Sequence, residues 1–422
     1  MSRVVEILNG GSPERRRSIW SMVGLAGRAL LAAVTFVTIA RALGTEGYGV
    51  YIGITAYVGL LAPLASLGVG EVLVLRVSRN TEEFREAWGA TLGTTFTIGA
   101  ALYLATIALA LVVLPGRDVA TIALFGGVEF LSVGIVHNHA RACAALDRYP
   151  ALAAVHIADA GARAIVAFGF WANGGSDLRV LAVAMLASMV LVSIATGWWL
   201  RSVAGNPIVR RGDLAPAAKE GSRFALGDAS QTIQAGVDKT MLLRAGFDAD
   251  AGLYGAGARL ITYSMLPASS IFSAAYPEFF RRGADGIEAA IDYSRQLRNK
   301  VVAVTLGGAL VAVLFSPLAG FVLGDEFDGV VPVVIAMALY PLLRGLQVLS
   351  ADVLSGTGRQ GYRSKAQLST ALLNIGLNIA LIPQYSWKGA AIATYISELA
   401  FLALLVIGVN RAVSDTSLLK RP

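Results

Sequence analysis

Five cations stand in the middle of long apolar stretches: Arg28, Arg163, Lys239, Arg259 and Arg344. A charge at membrane depth costs about 3 kcal/mol or more unless it pairs or faces water, so each is a functional candidate by position. Arginine offers a two-pronged fork to phosphate oxygens, and a fixed cation in a low-dielectric cavity suits an anionic phosphate or pyrophosphate group. Competing readings are visible in the spacing. Asp159 and Arg163 lie one helical turn apart, as a pair would. Lys239 adjoins Asp238, and Arg259 is near enough to an interface to reach it. Arg28 has no acid near it in sequence.

The acids Glu129, Asp159, Asp228, Asp238, Asp352 and Glu398 also fall within apolar segments. Asp228, Asp238, Asp159, Glu129 and Glu398 are candidates to bind a coupling cation or proton, or simply to balance the cations. Advancing about 100° per residue, Asp228, Gln231, Gln234, Asp238 and Lys239 share an arc of roughly 140°. Such a stripe lines a water-filled path or makes a hydrogen-bonded seam between helices. On the first reading, Gln231 and Gln234 join the cations as substrate-binding residues.

Other patterns carry less chemistry. His137, His139 and His156 lack the spacing of two ligands on one helical face, and the single Cys143 supplies no thiolate cluster, so no metal is expected. Titration of these histidines remains an alternative use. Gly356, Gly358 and Gly361 imitate a dinucleotide-binding pattern but sit in a short loop without a strand before it. A phosphate-binding loop with Lys-Ser/Thr is missing from the sequence, so ATP drive is not expected. No catalytic residue and no cofactor is predicted.

These residues must be positioned by membrane helices. Of 422 residues, 55% are hydrophobic and 15% charged, and the apolar ones fall in blocks long enough to cross a hydrocarbon core of about 30 Å. Spans are predicted over 19–40, 47–70, 88–114, 119–138, 150–171 and 180–200, then 224–245, 251–276, 301–323, 330–350, 366–383 and 389–409. The expected plan is an all-α membrane protein of about 12 transmembrane helices in two bundles of six. A cytoplasmic segment covers 1–18, the first bundle 19–201, a cytoplasmic linker 202–221, the second bundle 222–409 and a cytoplasmic tail 410–422. Both termini and every second loop hold 25 Lys and Arg, against 5 on the opposite side. That asymmetry predicts cytoplasmic termini and accounts for the formal charge of +7 without nucleic acid. The stretch from Arg281 to Lys300, with Ile287, Ala290, Ile291 and Tyr293 among charges, suggests an amphipathic helix on the cytoplasmic surface.

The halves repeat. Arg41, Gly49 and Tyr51 recur as Arg244, Gly252 and Tyr254, and Pro63-Leu64-Ala65-Ser66 is echoed by Pro267-Ala268-Ser269. Internal repeats in a membrane chain point to a transporter, and an even number of spans makes them parallel.

Four stretches carry a family resemblance: Ala40-Arg41-Ala42-Leu43-Gly44 with Gly47-Tyr48-Gly49; Gly236-Val237-Asp238-Lys239 leading to Gly252-Leu253-Tyr254; Tyr276-Pro277-Glu278; and the run from Asn374 to Glu398. In their order and spacing the chain resembles the polysaccharide-exporter branch of the multidrug/oligosaccharidyl-lipid/polysaccharide flippase superfamily. The resemblance implies a V-shaped pair of six-helix bundles around a central cavity that alternately faces the two sides of the cell membrane. It implies flipping of polyprenyl-linked oligosaccharide, with membrane lipids and a glycan polymerase or glycosyltransferases as the associated machinery. The alternative within transport is a cation-coupled multidrug or organic-cation antiporter of the same superfamily. A membrane glycosyltransferase would need a catalytic extramembrane loop, and the loops here are short; a non-transporting scaffold would leave the mid-span charges unexplained.

Overall fold

The computed structural model describes residues 13–419 and, within them, all side chains except those of 13–15, 18, 223–231 and 415–419. The described chain is helical and contains no strand. The expected spans fall on helical segments, and among the described residues seven helices, or eight if one bent pair counts as a span, are long and apolar enough to cross a membrane, which supports a multi-pass architecture.

Helix α1, Pro13–Ala65, has 53 residues, which at 1.5 Å each is more than twice the hydrocarbon thickness. It is two spans joined at Gly44, whose φ of 65° and ψ of −174° break the helix. The break favours glycine because the left-handed φ disfavours a side chain, and a Cβ there would also push the Glu326 carboxylate aside. That carboxylate accepts the Thr45 amide at 3.0 Å, so it caps the new helix where free N–H groups and the helix dipole favour an anion.

The following helices are α2 Val69–Arg79, α3 Phe84–Val113, α4 Val119–Glu129, α5 His137–Ala145, α6 Tyr149–Ala172 and α7 Leu178–Ala204. Between α4 and α5 the helix widens into a π-type segment over Phe130–Val136. Then come α8 Arg211–Arg244, α9 Asp248–Ser264, α10 Leu266–Ala284, α11 Ile287–Phe315, α12 Ala319–Leu323, α13 Val330–Ala336, α14 Tyr340–Gly356 and α15 Gln360–Leu419. Three expected spans are broken; that over 47–70 is interrupted by the turn at 66–68 between α1 and α2, and two lie in the second half. One stops at Met265 before Pro267 restarts it, and the other bends by 45° between α13 and α14. α15 repeats the design of α1, with 60 residues and a break at Ser386, φ 49° and ψ −132°. The Ser386 hydroxyl donates to Asp250, which holds this left-handed non-glycine residue in place.

Contacts divide the chain into two compact units. One comprises the described residues through Leu43 with Ile54–Thr232; the other comprises Gly44–Gly53 and the described residues from Ile233 onward.

The first unit packs Trp88, Leu73, Phe84, Ala142 and Leu200 into one apolar cluster. Glycine lets its backbones meet: Gly24 of α1 leaves only 3.0 Å between a notional Cβ and the Ala153 Cα of α6. Across the loops before α4 and α7, Asp118 caps α4 and receives Arg179 at 2.8 Å. The hydrogen bonds from Thr121 and Arg179 lower the Asp118 pKa from 3.8 to about 2.

In the second unit the repeated segments meet each other. A Cβ on Gly49 would overlap the Asp248 carbonyl, and a Cβ on Gly252 would overlap the Thr45 carbonyl. Thr45 and Asp248 are themselves 203 residues apart, the spacing of the repeat, so the crossing is reciprocal. Close helix approach over small residues replaces the hydrophobic drive that lipid cannot supply.

The amphipathic surface helix expected between Arg281 and Lys300 requires correction. α11 runs unbroken from Ile287 into the apolar span, and Ile287 and Ala290 are buried with Phe279, Val301 and Val353. The cause lies in paired glycines: Gly283 admits the Gly356 carbonyl, and Gly356 admits that of Phe279. The glycine loop therefore serves packing and a turn, with Gly358 at φ 76°.

Gly49→Val should lower stability by about 3 kcal/mol, the upper range for overpacking, because the obstacle is backbone. Gly307→Val, where a Cβ meets nothing within 4 Å, should stay near wild type in detergent-solubilised thermal unfolding. A depressed carboxylate pKa stabilises fully above the unfolded value of 3.8 and is lost as pH falls through about 2. The unfolding-temperature difference between wild type and Asp118→Asn should thus be constant above about pH 5 and shrink towards pH 2.

Candidate functional site

Each unit holds a polar site. In the first, a cavity of about 250 Å³ is lined by Arg28 of α1, Glu71 of α2, Ser132 of the π segment, His137 and Asn138 of α5, and His156 and Asp159 of α6. The π segment explains how so many polar groups converge. It shifts the helical phase by accepting the His137 amide at the Ser132 carbonyl, five residues back. Ser132 then donates to Asp159 at 2.8 Å, and Asn138 donates to Thr95 and to the Gly134 carbonyl at 2.9 and 2.6 Å.

Arg163 is bonded to Glu129 across α4 and α6 at 2.9 Å, with Asp159 at 3.8 Å on its own helix. Glu71 is paired with Arg141. Arg28 differs: it lines the cavity within electrostatic reach of His156, and among the described residues no carboxylate pairs with it. The rings of His137 and His156 face each other at 6.3 Å, while buried His139 bonds Thr196 at 2.9 Å. The structure thus separates one histidine used in packing from two at the cavity.

The second unit encloses its acids. Asp238 receives the Tyr254 hydroxyl at 2.7 Å and the Lys239 ammonium at 3.0 Å, and it is 5% exposed. Glu398, 3% exposed, accepts Gln347 at 2.5 Å and Gln234 at 3.2 Å. Arg344 reaches Gln347 at 3.4 Å. Helices α8, α9, α14 and α15 are therefore tied by one set of donors and acceptors. Asp352, on α14 like Gln347, has Arg363 at 3.8 Å. Arg259 stands apart, half-buried beside the hydroxyls of Tyr48, Tyr51 and Tyr263.

Of the polar stripe, Gln234 and Asp238 make interhelical hydrogen bonds, and the side chains of Asp228 and Gln231 lie outside the described residues. Sequence reading missed Glu129 as the partner of Arg163, because 34 positions separate them. It missed Gln347 for want of any signal beyond its place one turn after Arg344. It also set aside the pairing of His137 with His156.

Comparison with known proteins decides the family. A model of the family described as polysaccharide biosynthesis protein matches residues 15–282, more than half of the chain. The chain belongs to this family. A probable low-salt glycan biosynthesis flippase of Haloferax volcanii is 24% identical over 148 residues, 35% of this chain and 31% of the relative, so the match spans about a third of that protein.

Among solved structures, an inward-facing multidrug resistance transporter of the MATE family in the MOP superfamily aligns with TM-score 0.71 at 13% identity, covering 93% of this chain and 99% of that one. A MOP-superfamily transporter of Pyrococcus furiosus, described as having a binding pocket of reversed polarity, aligns with TM-score 0.63 at 15% identity over 96% and 98%. This member of the polysaccharide biosynthesis family thus has the fold of MOP-superfamily transporters.

A double-mutant cycle tests the Arg163 pair. Arg163→Met should cost about 3 kcal/mol by stranding Glu129 and Asp159, and adding Glu129→Leu should recover part of it. Purely additive losses in thermal unfolding would show that the two side chains do not interact.

Proposed function

We propose that this protein flips polyprenyl-(pyro)phosphate-linked oligosaccharide across the cell membrane for glycan assembly, by alternating access, with both termini cytoplasmic. The observation that carries the reading is Arg28, a membrane-depth cation that lines an open cavity and has no carboxylate pair among the described residues. A fixed cation that faces a cavity and meets no carboxylate pair among the described residues is available to an anion, and a phosphate ester fits its fork. Family membership and the Haloferax relative's name support a glycan cargo. Arg163, Lys239, Arg344 and Arg259 are held by protein groups and act chiefly in positioning, with Gln234 and Gln231 on the same helix as Lys239. A glycan polymerase or glycosyltransferases would meet the product.

A second reading, cation-coupled antiport of organic cations, is favoured by one observation. The enclosed carboxylate Glu398 accepts bonds from the neutral amides of Gln347 and Gln234, an arrangement suited to taking up a proton or small cation. Within the flippase reading the same acid, with Asp238, Asp159, Glu129 and Asp228, supplies coupling to an ion gradient.

Arg28→Gln should retain wild-type unfolding temperature yet accumulate lipid-linked oligosaccharide in the cytoplasmic leaflet and reduce flipping in reconstituted vesicles at least about tenfold, the value of one charge-assisted contact. Glu398→Gln should flip but lose dependence on the imposed gradient. Unchanged flipping by Arg28→Gln at normal protein levels would reject the headgroup role. Efflux of organic cations without lipid flipping would favour the antiporter.

A further inference from the structure

A second cavity, of about 370 Å³, lies wholly within the second unit. Its walls are apolar: Leu346, Leu349 and Val353 from α14, and Leu402, Val406 and Val409 from the last part of α15. One edge is not. Arg295 and Arg298 of α11 line it with Ser294. Arg295 touches Asp292 at 3.1 Å in an exposed pair, and among the described residues no carboxylate pairs with Arg298. Both arginines precede Val301, where the apolar part of α11 begins. The cavity therefore combines a cationic end at the membrane interface with a hydrocarbon wall running inward.

We propose that this groove is a docking site, separate from the transport site at Arg28, that holds the polyprenyl phosphate end of the lipid-linked substrate before it is flipped, with the phosphate on Arg295 and Arg298 and the isoprenoid tail along α14 and α15. The inference rests on the flippase reading and its sidedness, which puts the arginine end in the cytoplasmic leaflet. Charge complementarity selects the occupant: two neighbouring guanidinium groups match the non-bridging oxygens of a phosphate ester, and Ser294 adds a hydroxyl donor. The walls from α14 and α15 offer chiefly methyl and methylene surface to a tail, interrupted by the Ser350 hydroxyl. Val406 is 43% exposed, so the wall is open rather than filled by the protein's own side chains.

The full chain in phosphatidylcholine nanodiscs is labelled with a photoreactive polyprenyl phosphate, and labelled peptides are mapped by mass spectrometry. Labels should fall on α11, α14 and the last part of α15, and be displaced by unlabelled polyprenyl phosphate but not by phosphatidylglycerol. Arg295→Ala with Arg298→Ala, and separately Val406→Trp, should each reduce labelling at least about tenfold. Ile407→Trp, a neighbour of similar exposure outside the groove, should not; it controls for folding. Equal displacement by phosphatidylglycerol would mean a general anionic-lipid site and overturn the proposal, as would unchanged labelling in the groove variants. Flipping by the same preparations separates the two claims. A wild type that flips without labelling the groove loses only the groove, and one that labels without flipping loses the flippase reading instead.

Discussion

Inside hydrocarbon a polar group has no water to fall back on, and that constraint shapes this molecule from backbone to side chain. It makes the described chain helical, and it makes each interruption conditional on a substitute partner. Gly44 breaks α1 where Glu326 waits for the freed Thr45 amide, and Ser386 breaks α15 where Asp250 takes its hydroxyl. Mid-span charges obey the same rule. Arg163 sits between two acids, Lys239 against Asp238, and Arg344 beside Gln347 and Glu398. Arg28 acquires its meaning against this background, as a cation the protein leaves to a cavity.

The two units spend their polar residues differently. In the first, a π segment re-phases one helix so that Ser132, His137 and Asn138 surround open space. In the second, Tyr254, Gln347 and Gln234 close around Asp238 and Glu398 with little exposure. An accessible polar pocket can exchange a ligand, whereas an enclosed carboxylate network changes state by gaining or losing a proton or small ion. Such a division suits a carrier in which cargo and driving ion are recognised by separate helices.

Much of the fold was legible from hydropathy, because a span announces itself by length and composition alone. The Gly49 and Gly252 repeat was legible too, although only the structure reveals that the copies touch. Helix breaks at Met265 and before Tyr340 were hidden, since an apolar run reads the same whether straight or bent. The site was partly legible: mid-span cations and acids could be named, but not which meet. Glu129 with Arg163, and His137 with His156, are joined across helices whose rotation no sequence period specifies. The apolar face of Ile287, Ala290, Ile291 and Tyr293 was legible, but sequence alone did not show that it packs against Phe279 at the start of an unbroken span.

The reciprocal crossing of Gly49 and Gly252 bears on how the protein is made. Gly44–Gly53 belongs to a unit whose other members begin at Ile233, so a hairpin inserted early has no partner until the second half emerges. The 203 residues from 49 to 252 take about 10–40 s at synthesis rates of roughly 5–20 residues per second. During that interval the bare glycine face of the second span stands in lipid, available to any small-residue helix. Membrane insertases and chaperones would have their clearest work here, guarding an early segment reserved for a late one.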